Sequence, residues 1–393
     1  MDKFQELDKE YHFNLYGRYP ITMSHGKGSR LWDVDGKEYV DGLSGIAVCS
    51  LGHSHPKVVD AITKQASKLM HVSNFFVTEP LAELSKAICE FSGMDKVFFC
   101  NSGAEATEGA VKVARKYNSL NGKKGCDIIS MENSFHGRTI ATIAMGKKKY
   151  QEGFAPMPSG FIKSNLNDIE DLKSKITSNT GAIIIETIQG EGGVIVAELE
   201  YLKAVRKLCD ENNILLIADE VQCGVGRTGY FYAFQEYGIK PDIVCSAKGV
   251  AAGFPMGAVL ATKKVAASME PGNHGTTFGG NPLACVTSLA TLNIVSQKEF
   301  LNEVIEKGNY FKNELNEKLK EFPIFKEVRG KGLMIGVEFT ELTRPIVMKM
   351  LDKGVIVNAT ADTVIRIVPP LIITKEEIDI IVEKLVESIK ELF

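Results

Sequence analysis

From about residue 60 to residue 285 the chain alternates short apolar runs with longer segments of helical pattern. The runs are Val97–Cys100, Asp127–Met131, Ala182–Thr187, Ile214–Ala218, Ile243–Ser246 and Gly257–Ala261. Near-continuous apolar strands separated by helices predict a mainly parallel sheet covered on both faces. Sites in such sheets lie outside the carboxyl ends of the strands. The remainder, from about residue 300 together with the N-terminal arm, reads as a smaller α+β unit. Its last helix is well marked. Thr374 and Glu377 form a capping box, and Ile378, Ile381, Val382, Leu385 and Ile389 recur at helical spacing. That stripe predicts a face buried in the core rather than a binding surface.

The pattern divides the chain into an arm and part of the small domain over 1–50, a large domain over 51–290 and a C-terminal small domain over 291–393. There is no internal repeat and no low-complexity linker. A length of 393 residues agrees with two domains. The cleft between two such units is a common place for a small-molecule site.

Composition narrows the partners. A formal net charge of −3 gives no basic field, so neither nucleic acid nor an anionic membrane is expected. No apolar run has the length of a transmembrane helix, and the polar start Met1-Asp2-Lys3-Phe4-Gln5-Glu6 is unlike a signal peptide. The eight cysteines are scattered without a Cys-x-x-Cys pair, and several lie in apolar stretches, which fits a reducing cytoplasm. His53 and His55 have the look of a metal pair, but no third His or Cys cluster supports them. Gly52-His53-Ser54-His55-Pro56 therefore reads as a structural turn, and no metal is expected.

The candidate chemistry sits at strand ends. Lys248 follows the strand Ile243–Ser246, and Asp219 ends the apolar run that begins at Ile214. Alone, a lysine beyond a strand is ordinarily solvated, and a strand-end acid can simply cap a turn. Together, at the ends of neighbouring strands, they suit a pyridoxal phosphate (PLP) site. The amine would hold the aldehyde covalently, and the acid would keep the pyridine nitrogen protonated. Ser102-Gly103-Ala104 follows a strand and opens a helical pattern, so its N–H groups favour an anion, although any capped helix can look like this. Arg366 lies inside an apolar strand, where an unpaired guanidinium would be costly. Something anionic must face it, either a structural acid or a ligand.

Longer motifs carry a resemblance. Asp219-Glu220-Val221-Gln222-Cys223-Gly224-Val225-Gly226-Arg227-Thr228-Gly229 resembles the signature of the class III (ω-amino-acid) aminotransferases. Further motifs of that family follow its order: Gly52-His53-Ser54-His55-Pro56, Asn101-Ser102-Gly103-Ala104-Glu105-Ala106, Phe135-His136-Gly137-Arg138-Thr139 and Thr276-Thr277-Phe278-Gly279-Gly280-Asn281-Pro282. The match runs from about Tyr16 to the final helix. It implies an α/β architecture, the PLP-dependent transferase fold type I, with a mainly parallel seven-stranded sheet in the large domain and a smaller α+β domain.

The resemblance also implies roles. Lys248 would hold the cofactor and shuttle a proton, and Asp219 would face the ring nitrogen. Ser102, Gly103 and Ala104 would cradle the phosphate, with Thr277 of a partner subunit completing the cradle in a homodimer. Gln222 would meet the phenolic oxygen, while Val221 and Phe135 would cover the two ring faces. Periodicity alone leaves Phe135 equally open to a core position. Arg138 and Arg366 match carboxylate-binding positions, and Glu191 resembles a switch acid that pairs with Arg366 in one half-reaction and withdraws in the other. Such a switch would let one site take an ω-amine and an α-amino acid in turn.

Within the class, the short N-terminus and Val364-Ile365-Arg366-Ile367-Val368-Pro369-Pro370-Leu371-Ile372-Ile373-Thr374 look most like the acetylornithine aminotransferases. That implies transfer of a δ-amino group from N2-acetyl-L-ornithine to 2-oxoglutarate. Tyr16 and Ile46 fall on the substrate side of the site by the same resemblance. Ile46 stands where ornithine aminotransferases resemble one another in carrying a tyrosine near the free α-amine. An apolar side chain offers that amine no partner, so an acylated amine is expected. Ornithine, succinylornithine, 4-aminobutyrate and N-succinyl-diaminopimelate are the alternative substrates. A non-catalytic PLP-binding regulator is disfavoured by the presence of both Lys248 and Asp219 and by the lack of a basic helix.

Overall fold

The computed structural model describes residues 2–123 and 125–393. Its central sheet has seven strands, in the order Lys96–Cys100, Gly257–Ala261, Ile243–Ser246, Leu215–Asp219, Thr180–Ile185, Asp127–Met131 and Phe161–Ser164. Gly257–Ala261 runs antiparallel to both of its neighbours. The other neighbouring pairs are parallel. The sheet is therefore mainly parallel, as the apolar runs predict.

The near-continuous apolar character has a physical cause, because both faces are covered. Ala182, Ile184, Leu215 and Ile217 pack with Ala106, Ala110 and Ala114 of the helix Gly103–Leu120. The alternating residues Ile183, Ile185 and Leu216 pack with Leu202 and Val205 of the helix Leu199–Asn212. Each large aliphatic side chain so buried contributes roughly 1.5–3 kcal/mol.

Three of the predicted runs differ in their bounds, and one strand is missing from them. Val97–Cys100 begins at Lys96, and Ile214–Ala218 is shifted by one residue to Leu215–Asp219. The run Ala182–Thr187 is a strand over Thr180–Ile185, so Glu186 and Thr187 lie beyond its carboxyl end. Phe161–Ser164 is absent from the six apolar runs, because it is an edge strand, half-buried for most of its length, with Lys163 in its middle.

A second sheet is antiparallel throughout, in the order Phe325–Lys331, Met334–Phe339, Val364–Ile367, Asn358–Thr360. The helix Lys375–Leu392 begins with the predicted capping box between Thr374 and Glu377, and Ile378, Ile381, Val382, Leu385 and Ile389 are all buried. A third sheet joins Met23–Lys27, Arg30–Asp33 and Glu38–Asp41 to the distant strand Val355–Ile356, which pairs in parallel with Glu38–Asp41. His53 lies 2.7 Å from Asp41 through Nε2, and His55 stands at the start of the helix Pro56–Ala66. Among the described residues, no helix is long and apolar enough to cross a membrane.

Candidate active site

Asp219 is the last residue of its strand, and Lys248 begins a short turn two residues beyond Ser246. Lys248 takes φ 46°, a left-handed conformation that costs a side-chain-bearing residue roughly 1–2 kcal/mol. The turn around it is crowded, for a Cβ on the following Gly249 would lie 2.5 Å from Ser50 Oγ. Asp219 and Lys248 both line a cavity of about 460 Å³ at the carboxyl end of the sheet. Ser102, Gly103, Ala104, Phe135, Arg138, Val221 and Gln222 line it too, as do His136 and Glu186. Burial pushes the Lys248 amine down to about 8, and the Arg366 guanidinium pushes the same way against the pull of Glu191, Asp219 and Glu186. Such a lysine is partly neutral near physiological pH, as a base or nucleophile must be.

Asp219 is fixed from two sides. His136 Nδ1 lies 2.6 Å from its Oδ2, and the Val221 N–H donates to its Oδ1 at 3.0 Å. The His136 side chain is fully buried, and its Nε2 has no protein partner among the described residues. Glu186 is buried beside them, with Oε2 accepting the Phe135 N–H at 3.0 Å. Burial, reinforced by the nearby charge of Asp219, pushes the Glu186 carboxyl well above the usual range.

At the other end of the cavity the helix Gly103–Leu120 begins. Ser102 Oγ accepts the Glu105 N–H at 3.2 Å, and the Ser102 carbonyl accepts the Ala106 N–H at 3.0 Å. Among the described residues the N–H groups of Gly103 and Ala104 have no acceptor, so the first turn is free to bind an anion. Gly103 is required here by space, since a Cβ would come within 2.8 Å of Val221 Cγ1.

Arg366 sits in the strand Val364–Ile367 and is 1% exposed. Its Nη1 is paired with Glu191 and donates to Gln222 Oε1 at 3.1 Å, while Nε donates to Asn358 Oδ1 at 3.2 Å. Burial pushes the Glu191 carboxyl up, but Arg366, joined by Lys248 and Gln222, holds the group below its ordinary value. Of the two anionic partners open to Arg366 on sequence grounds, a side-chain acid is the one in place. Arg138 is exposed and stacks on Tyr150, 3.9 Å from the ring centre.

Five of the sequence-derived residues do not line this cavity within a single chain: Glu191 and Arg366, whose pair reaches it through Gln222, and Thr277, Tyr16 and Ile46. Thr277 is exposed, Tyr16 is 63% exposed beside the N-terminal arm, and Ile46 is partly buried at φ 67°. Val48, two residues from Ile46, reaches the cavity wall. Conversely, sequence reasoning assigned no role to His136, Glu186, Tyr150 or Asn358. His136 lies inside one of the family motifs, and Glu186 follows a strand end as Lys248 does; position was the available signal for both.

The pattern of the family described as Aminotransferase class-III matches residues 14–389. The chain is 52% identical over 389 residues to the acetylornithine aminotransferase of Methanocaldococcus jannaschii, covering 98% of each. Among solved structures it is similar to the acetylornithine aminotransferase of Elizabethkingia anophelis, at TM-score 0.89 and 35% identity over 99% of this chain and 98% of that one. It is also similar to a Toxoplasma gondii ornithine aminotransferase with partial occupancy of PLP at its active site, at TM-score 0.94 and 34% identity over 98% and 93%. With a lysine, a fixed acid and a free helix start converging on one cavity, the chain belongs to the class III aminotransferase family.

Proposed function

We propose that this chain is a PLP-dependent acetylornithine aminotransferase. It transfers the δ-amino group of N2-acetyl-L-ornithine to 2-oxoglutarate, giving N-acetyl-L-glutamate 5-semialdehyde and L-glutamate, and it works as a homodimer. The observation that carries the reading is the Arg366–Glu191 pair, joined through Gln222 to the cavity that holds Lys248.

The cavity's donor set fits PLP. Free N–H groups at Gly103 and Ala104 suit its phosphate, the fixed carboxylate of Asp219 suits its ring nitrogen, and Lys248 suits its aldehyde. Val221 and Phe135 would cover its faces, Gln222 would meet its phenolic oxygen, and Thr277 of a second copy would reach its phosphate. When bound, PLP supplies an electron sink for the electron pair left as a proton departs from the amine-bearing carbon. Lys248 Nζ, with its pKa lowered to about 8, takes that proton and returns it. Asp219, oriented by His136, would face the ring nitrogen as its hydrogen-bond acceptor.

Arg366 and Glu191 sort the two substrates. An ω-amine has no carboxylate on the reacting carbon, so Glu191 stays on Arg366 and the buried cation remains paired. Glutamate brings an α-carboxylate, which takes Arg366 bidentately once Glu191 withdraws. Arg138 would hold the distal carboxylate in both cases.

A second reading, ornithine aminotransferase, has the close superposition with the Toxoplasma gondii enzyme in its favour. Greater identity to the Methanocaldococcus jannaschii relative supports the acylated substrate, as does Ile46, which offers a free α-amine nothing to bond. A half-reaction panel tests this. Acetylornithine, succinylornithine, ornithine, 4-aminobutyrate and N-succinyl-diaminopimelate are each mixed with the holoenzyme, and the bleaching of its visible absorbance is ranked by kcat/KM. The proposal expects acetylornithine first. Ornithine in first place would overturn it in favour of the second reading.

A further inference from the structure

Glu191 sits in the run Gln189-Gly190-Glu191-Gly192-Gly193, with glycine on both sides. The run is the turn of a short hairpin that pairs Ile188–Gln189 with Ile195–Val196, and the Gly190 carbonyl closes it by accepting the Gly193 and Val194 N–H groups at 3.3 and 3.4 Å. The carbonyls of Glu191 and Gly193 are held from outside the hairpin. The Glu191 carbonyl accepts Lys147 Nζ at 2.9 Å and Thr360 Oγ1 at 3.2 Å. The Gly193 carbonyl accepts Arg329 Nε at 3.0 Å and Nη2 at 2.7 Å. Three of these four bonds come from charged donors, which make hydrogen bonds roughly twice as strong as neutral ones. Lys147 precedes the short turn Lys148–Tyr150, whereas Thr360 and Arg329 belong to the antiparallel four-stranded sheet. The segment is thus fastened from two independent parts of the fold.

We infer that Lys147, Thr360 and Arg329 are positioning residues for Glu191, fixing its main chain so that it leaves Arg366 by side-chain rotation about a stationary backbone. The inference rests on the reading of Glu191 as a switch. Each of the two bonds to the Glu191 carbonyl leaves the carboxylate untouched, so anchoring and switching use different atoms of one residue. The anchoring also links the two arginines. The turn that carries Lys147 also carries Tyr150, on which Arg138 stacks. A shift of that turn would disturb both carboxylate sites together.

Hydrogen exchange of the holoenzyme tests the anchoring without reference to activity. In Lys147→Met combined with Thr360→Val, amides of residues 189–194 exchange at least tenfold faster, while those of the strand Leu215–Asp219 keep their wild-type rates. Lys147→Arg restores slow exchange. Unchanged exchange over 189–194 overturns the inference, and Lys147→Met alone gives the same reading if the double variant does not fold. Single-turnover spectra supply the second measurement. The ratio of glutamate to acetylornithine kcat/KM rises at least threefold in the double variant, because a loosened Glu191 masks Arg366 less often. Equal losses with both donors overturn the inference. A wild-type enzyme that reacts with glutamate and not with acetylornithine overturns the substrate reading instead, and the exchange rates still decide the anchoring.

Discussion

His136 and Asp219 form a buried pair, with Nδ1 and Oδ2 2.6 Å apart and neither side chain more than 3% exposed. The imidazole fixes one carboxylate oxygen while the Val221 N–H fixes the other. Removing the ring with His136→Ala deletes a hydrogen bond to a charged group, worth roughly 1.5–3 kcal/mol. PLP retention and kcat are each expected to fall by about tenfold to a hundredfold. His136→Asn, which keeps a donor, recovers part of the loss. Dialysis-release rates and steady-state kinetics of the two variants check this. Full activity in His136→Ala would show that Asp219 needs no such support.

Lys248 gives a pH-dependent prediction for the cofactor-free chain. Its amine titrates near 8 when folded and near the ordinary lysine value of 10.5 when unfolded. The unfolded chain therefore binds more protons between those values, and this group adds stability as pH rises through that window. Below about 8 the folded chain carries the cost of a buried charge, on the order of 3 kcal/mol, since each tenfold loss of proton affinity is worth about 1.4 kcal/mol. Lys248→Met apoprotein is expected to have the higher Tm at pH 7, with the difference shrinking toward pH 10. A constant difference across that range contradicts the assignment. In the holoenzyme, Lys248→Ala abolishes turnover and leaves a folded chain.

Glu191→Ala unmasks Arg366 during the amine half-reaction. The glutamate reaction loses nothing comparable, because that substrate brings its own carboxylate. The ratio of glutamate to acetylornithine kcat/KM is expected to rise by about tenfold for each 1.4 kcal/mol of lost masking. Single-turnover spectra with each donor measure it. Equal losses in both would mark Glu191 as a structural acid.

Thr277 is exposed in its own chain, which suits a residue that completes a second copy's site. Mixed dimers of Lys248→Ala and Thr277→Ala chains are expected to hold one intact site, on the Thr277→Ala chain, and one with both lesions. About half of the wild-type activity per dimer is the outcome expected from one working site in two. Hybrids without a fully working site would place Thr277 within its own subunit's cradle.

Much of the sheet was legible because burial on both faces writes itself as unbroken apolar runs. Ile243–Ser246 and Asp127–Met131 have the bounds that the runs predict. Phe161–Ser164 was not legible, because a sheet edge needs only partial burial and tolerates Lys163. Lys248 and Asp219 stood out as charges placed where apolar runs end. Glu186 escaped because its apolar run reads on through Thr187, whereas the strand stops at Ile185. His136 meets Asp219 only through the tertiary fold, and no periodicity connects residues so far apart in sequence. Tyr150 and Asn358 are likewise defined by the arginines they touch.

The pairing of Val40 with Val355 has a consequence for how the chain is made. The two residues are separated by roughly 300 positions, and contacts that distant close slowly. During translation the strands Met23–Lys27, Arg30–Asp33 and Glu38–Asp41 emerge long before the strand that covers their edge. Until then the edge at Glu38–Asp41 presents unpaired backbone groups to any other strand nearby. Ribosome-bound chains that stop short of Val355 are the species most exposed to wrong pairing, and a late strand seals an early one.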